Sequence, residues 1–126
     1  MDSRSIAIFY RIASFENALQ EFDTTVDAQI EAHIAYFEQA WRASNHDGDI
    51  PSGFCFEAYL QVQQAYRLCQ IRVGPGHGYR CVVMLLDRSS AAYWVYAFKK
   101  TRNRQPKDMA RACEIAERLW DHLEEN

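Results

Sequence analysis

The chain is poor in the residues that staple a fold together. Its four cysteines, Cys55, Cys69, Cys81 and Cys113, lie far apart and form no Cys-x-x-Cys pair. Each sits among apolar or periodic neighbours, so they read as small buried hydrophobes in a reducing compartment. The four histidines are scattered, with no His-x-x-x-His spacing, and no metal site is expected. No apolar run approaches the ~18 residues that span a membrane. The opening "MDSRSIAIFYR" carries an early acid and a short apolar run, which does not read as a signal peptide. Internal repeats and low-complexity tracts are missing too. These absences point to a cytoplasmic protein with no membrane association and no cofactor. At 126 residues the chain is most simply one domain, 1–126, able to bury a core unaided.

Basic residues are scarce at both ends and crowded in the middle. The whole chain carries a net charge of −3. Residues 1–66 hold three bases against ten acids, and residues 112–126 hold one base against five. Residues 67–111 reverse this, with ten bases and two acids. A basic centre hidden between acidic flanks is the electrostatic footprint of a polyanion or acidic-protein site, or of an ordinary sheet between helices with solvated acidic faces.

Hydrophobic periodicity orders the chain as β-α-α-(β)-β-β-β-α. Alternation predicts a strand over 4–11. A stripe through Leu19, Phe22, Val26, Ile30, Ile34 (or His33), Phe37 and Trp41 predicts helices over 15–22 and 24–42, with Ser14 as cap of the first and the break at "FDTTVD". "SNHDGDIPSG" reads as loop. "FCFEAYLQVQQAYRLCQIRV" is β-leaning with a turn near Gln63-Gln64, and its clearer strand is 66–73. Further strands are expected over 79–87 and 92–99, and a helix led by Pro106 closes the chain.

Within this frame the bases group. Arg72 and Arg80 flank the "GPGHG" turn at 74–78, so a hairpin sets them close together. The planar, always-charged guanidinium fork suits phosphate, and it equally suits the shielding of a sheet edge. The turn lacks the Gly-Lys-Ser/Thr ending of a nucleotide-binding loop. His77 lies in that turn, and a histidine could serve there as general acid or base, or it could simply be a polar turn residue. Strand 92–99 should place Trp94, Tyr96, Phe98 and Lys100 on one face and Tyr93, Val95, Ala97 and Lys99 on the other. Aromatics beside bases suit single-stranded RNA, although aromatic strands are more often core.

The ordered combination resembles the RelE/ParE-like toxins of type II toxin–antitoxin systems. "ASFENALQEFDTTVDAQIEAHIAYFE" is similar to that family's opening helical hairpin, and "AYRLCQIRVGPGHGYRCVVMLLD" to its core β-hairpin. "YWVYAFKKTRNRQPKDMARACEIAERL" looks most like the HigB branch and its phage relatives, in which a strand ending in Phe and paired lysines precedes a Pro-led helix. The resemblance implies an α+β fold: a small antiparallel sheet with an N-terminal helical hairpin and a C-terminal helix. It implies a ribosome-dependent mRNA interferase, a metal-free endoribonuclease acting with ribosome and mRNA and neutralised by a cognate antitoxin. By position, Arg72 and Arg80 would clamp phosphate and Lys99 would hold substrate or move a proton. His77 joins this catalytic set on its chemistry alone. Lys100, Arg102, Arg104 and Arg67 would bind RNA. A gyrase inhibitor of ParE type, or a non-catalytic interaction domain on the same fold, would share the architecture without the nuclease chemistry.

Overall fold

The computed structural model describes residues 8–43, 56–59, 66–86, 91–101 and 105–125. Residues 4–7 of the first expected strand, the "SNHDGDIPSG" loop, the turn near Gln63-Gln64, Cys55, Arg102 and Arg104 lie outside the described residues. The elements run β1 (Ile8–Arg11), α1 (Ala13–Gln20), α2 (Thr24–Ala43), β2 (Phe56–Tyr59), β3 (Tyr66–Val73), a 3-10 turn (Pro75–His77), β4 (Tyr79–Leu86), β5 (Ala91–Lys99) and α3 (Gln105–Glu125). The class is α+β.

The strands form one sheet in the order β1-β5-β4-β3-β2. Four of them make an antiparallel series, but β1 joins β5 in parallel, with Ile8 opposite Ala91 and Arg11 opposite Trp94. The sheet is therefore mixed, which corrects the expected antiparallel one. Two helices follow β1 before the chain returns to the sheet, so the first strand is free to lie along the last in the same direction.

The helices are also arranged differently from a simple hairpin plus a terminal helix. α1 is seated on β5 and α2 on β3, both on one face, while α3 covers the other. The first face is aromatic. Trp94 is fully buried, with Phe37 edge-on at 5.8 Å and Phe9 stacked at 6.1 Å, and its Nε1 donates to Glu38 at 2.8 Å. Fully burying one large apolar side chain is worth ~1.5–3 kcal/mol, so this cluster anchors the helical layer. The opposite face packs Met109, Ala112 and Ala116 of α3 against Leu68, Val82, Met84, Val95 and Phe98. The small residues on α3 let the helix approach the sheet closely.

Two local expectations need correction. α1 is not capped by Ser14. Its N-cap is Ile12, whose carbonyl accepts from the Phe15 and Glu16 amides, while Ser14 Oγ donates to the Val95 carbonyl at 2.6 Å. The strict alternation along β5 also fails. A bulge between Val82 and Val83 shifts the register, so that Tyr96 faces Val82 and Trp94 faces Val83. The extra residue, Val95, turns toward α3, and Trp94 and Phe98 end up in opposite layers. Of the cysteines, Cys69 and Cys81 are buried as expected, while Cys113 is only partly covered. Burial pushes the Cys81 thiol far above its ordinary value, so it stays protonated and inert.

Candidate functional site at the turn end of the sheet

The β3–β4 register places Arg72 directly opposite Arg80, and Tyr79 opposite Val73. On the other side of β4, Tyr79 faces Lys99 and Arg80 faces Phe98. The Lys100 amide donates to the Gly78 carbonyl at 2.9 Å, tying the end of β5 to the turn. Arg72, His77, Arg80, Lys99 and Lys100 thus meet at one end of the sheet; a hairpin predicts this for Arg72 and Arg80 around the turn, and the β4–β5 pairing adds the two lysines. Arg67 does not join them. It opens β3, five residues from Arg72 and roughly 16 Å away along an extended strand. Its guanidinium lies 5.6 Å from the Trp41 ring, over the helical layer.

The sheet divides the gathered bases. Arg72 continues the face of Leu68 and Gln70, and Arg80 that of Val82 and Met84, so both arginines look toward α3. Arg80 is only 3% exposed. Its Nη1 donates to the carbonyls of His77 at 2.6 Å and Tyr79 at 3.0 Å. It holds the turn from beneath instead of presenting its charge to solvent. Arg72 is half-buried, and its Nε is sealed from water without a hydrogen-bond partner among the described residues. A buried donor left unmade is costly, and two like charges set opposite each other on one face are unfavourable. Both costs fall when an anion lies between or beside the guanidinium groups.

Lys99 points to the other side, 5.9 Å from the centre of the Tyr79 ring. It borders an open cleft of about 410 Å³ whose lining includes Glu21, Asp23, Tyr79, Phe98 and Asp108. Three carboxylates around one lysine make this cleft a poor phosphate site. Lys100 is exposed at the strand's end and is the better placed of the two lysines for a polyanion.

The turn itself is tightly determined. Gly74 has φ of 79°, and a Cβ there would come within 2.7 Å of Tyr79 Cδ1, so only glycine fits. Gly76 and His77 are also left-handed, with φ of 61° and 55°. His77 is exposed, and its ring lies edge-on to His33 of α2 with centroids 5.8 Å apart. His33 Nδ1 accepts from the Gly74 amide at 2.9 Å. Sequence reasoning missed His33 and Tyr79 as parts of this site. His33 was visible only as a polar residue beside an apolar helical stripe, and its partner is 41 residues away.

No group of three or more His, Cys, Asp or Glu side chains suited to a metal ion occurs among the described residues. None of their helices is long and apolar enough to cross a membrane. Compared with protein families, with curated proteins and with solved structures, the chain matches none.

Proposed function

We propose that the chain is a RelE/ParE-like toxin that binds and cleaves mRNA on the ribosome, acts in the cytoplasm and is neutralised by a cognate antitoxin. The observation that carries this reading is the opposed pair Arg72 and Arg80 on one face of the hairpin end, a pairing that favours an anionic ligand. An RNA phosphate supplies that anion. Arg72, half-exposed with a buried unmade donor, is the clamp. Arg80 orients the turn below it, and Lys100 extends the positive surface along the strand end. The ribose 2′-oxygen attacks the neighbouring phosphorus as the bond to the leaving 5′-oxygen breaks, giving a 2′,3′-cyclic phosphate and a 5′-hydroxyl. A base accepts the 2′-hydroxyl proton and an acid supplies one to the 5′-oxygen. His77, exposed in the turn with its ring on the α2 side, would take up the first proton and return it to the 5′-oxygen. Arg72 then stabilises the added negative charge on the crowded phosphorus.

The test is cleavage of ribosome-bound mRNA by the purified chain, with growth arrest on expression as the cellular counterpart. Arg72→Ala should lower the cleavage rate by about 10²-fold or more. Growth arrest with intact mRNA and damaged DNA would instead establish the gyrase-inhibitor reading. A second reading is supported by the burial of Arg80 and the carboxylates around Lys99: a non-catalytic interaction domain on the same fold. It predicts no toxicity and tight binding to an acidic protein segment, with Arg72→Ala weakening that binding.

A further inference from the structure

We infer that His33 is a positioning residue that holds the 74–78 turn in its working conformation only while its imidazole is neutral. The inference rests on the nuclease reading for its catalytic consequence, but its structural content stands alone. Nδ1 of His33 accepts the Gly74 amide hydrogen at 2.9 Å, so the ring proton sits on Nε2. A second proton would occupy Nδ1 and set a donor against a donor. The turn would then lose the hydrogen bond that ties Gly74 to α2. What remains is local: the His77 amide to the Gly74 carbonyl, the Gly78 amide to the Pro75 carbonyl, the Lys100 amide to the Gly78 carbonyl, and Arg80 beneath. Three positive-φ demands within four residues, at Gly74, Gly76 and His77, make this segment one that needs such external ties.

The consequence reaches the site through the same turn. The His77 carbonyl anchors Arg80, and the His77 ring rests against His33. Releasing Gly74 therefore disturbs the placement of both Arg80 and His77. The surroundings of His33 favour the neutral form. Burial, then the neighbouring His77, lowers its pKa from the ordinary histidine value. Tyr79 packs beside Gly74 from β4, with Lys99 of β5 over its ring. The helical neighbours one turn away on α2 are Gln29, Ile30, Tyr36 and Phe37, with no carboxylate among them. Glu31 is engaged with Arg11. With the folded value below the unfolded one, the tie is complete above the ordinary histidine pKa and is lost as pH falls through the lowered value.

The experiment follows the Gly74 amide and the two imidazoles by NMR on the full chain from pH 8 to pH 5, alongside RNA cleavage. The Gly74 amide should exchange at least tenfold faster, relative to its intrinsic rate, once His33 is protonated. His33→Asn keeps an acceptor near the Nδ1 position and cannot titrate, so its Gly74 protection should stay flat across the range. His33→Ala should lose that protection at every pH while β4 amides remain protected. Equal protection of Gly74 at pH 8 and pH 5 in the unmodified chain overturns the inference. So does a folded His33→Asn protein whose Gly74 protection is lost at pH 8 or still varies with pH. If the turn titrates as described but no RNA is cut at any pH, the nuclease reading fails and the role of His33 stands. If RNA is cut and the unmodified chain's Gly74 does not respond to pH, the role of His33 fails alone.

Discussion

The two faces of the sheet are built on different terms. The face under α1 and α2 buries a dense aromatic set, Phe15, Phe37, Trp41 and Trp94, and spends its charges at the rim, where Arg11 bridges Glu31. The face under α3 mixes small and aliphatic groups with Tyr66 and Phe98, and a polar line runs through it. Gln70 is 1% exposed and Arg80 3% exposed, and Arg72 stands at the end of the line. Apolar interiors tolerate polar groups only when something satisfies them, so the second face trades stability for a fixed arrangement of donors. The difference teaches where to look for chemistry: along the polar line, at its open end.

That contrast can be broken by mutation. The largest effect is expected at the centre of the aromatic face. Trp94→Ala should cost about 4 kcal/mol, read from urea midpoints, whereas Met84→Leu on the α3 face should cost less than about 1.5 kcal/mol. Comparable losses at the two positions would erase the distinction. Next comes the turn. Gly74→Ala combines a left-handed backbone with a clash against Tyr79 and should cost about 2–3 kcal/mol by thermal or urea unfolding. A neutral result would mean that the turn relaxes freely and does not hold the polar line in place.

A smaller effect is expected at Arg80, which tests whether that line is structural. Arg80→Met keeps much of the volume but abandons two turn carbonyls, so a loss of about 1–2 kcal/mol is expected. A stabilised variant would show that the charge is retained for ligand binding alone. The least effect belongs to the rim of the aromatic face. The Arg11 guanidinium holds the Glu31 carboxyl below its ordinary range. Its stabilisation is therefore present above the unfolded carboxylate pKa and lost as pH falls through the folded value. The pair is well exposed, so Glu31→Gln should cost only ~0.5 kcal/mol at neutral pH and flatten the acid limb of the stability curve. A loss several times larger would mean that the aromatic face depends on charge as much as its counterpart does.

Much of the architecture was legible because it is local. A β-leaning run before the turn and a continuous apolar run after it placed β3 and β4 within a residue of their observed ends, and the 3.6-residue stripe through Ile30, Ile34, Phe37 and Trp41 located α2. Proximity of Arg72 and Arg80 followed from a short turn between paired strands. What local pattern could not show was set by distant contacts. The parallel docking of β1 on β5 depends on an edge formed over 80 residues later. The bulge at Val95 has no Gly or Pro to mark it, so alternation sets Trp94 and Phe98 on one face when they occupy two. Burial of Arg80 was likewise invisible, because an arginine opening a strand reads the same whether its head meets solvent or the carbonyls of a preceding turn.

The pairing of β1 with β5 has a consequence in time as well as in space. Ile8 cannot find Ala91 until the intervening chain exists. During synthesis the β2–β3–β4 meander can pair while β1 still lacks its neighbour. Such a long-range closure carries a heavy entropic charge and comes late. The sheet is therefore sealed by the earliest of its described strands, and the growing chain carries an unpaired edge until β5 is made.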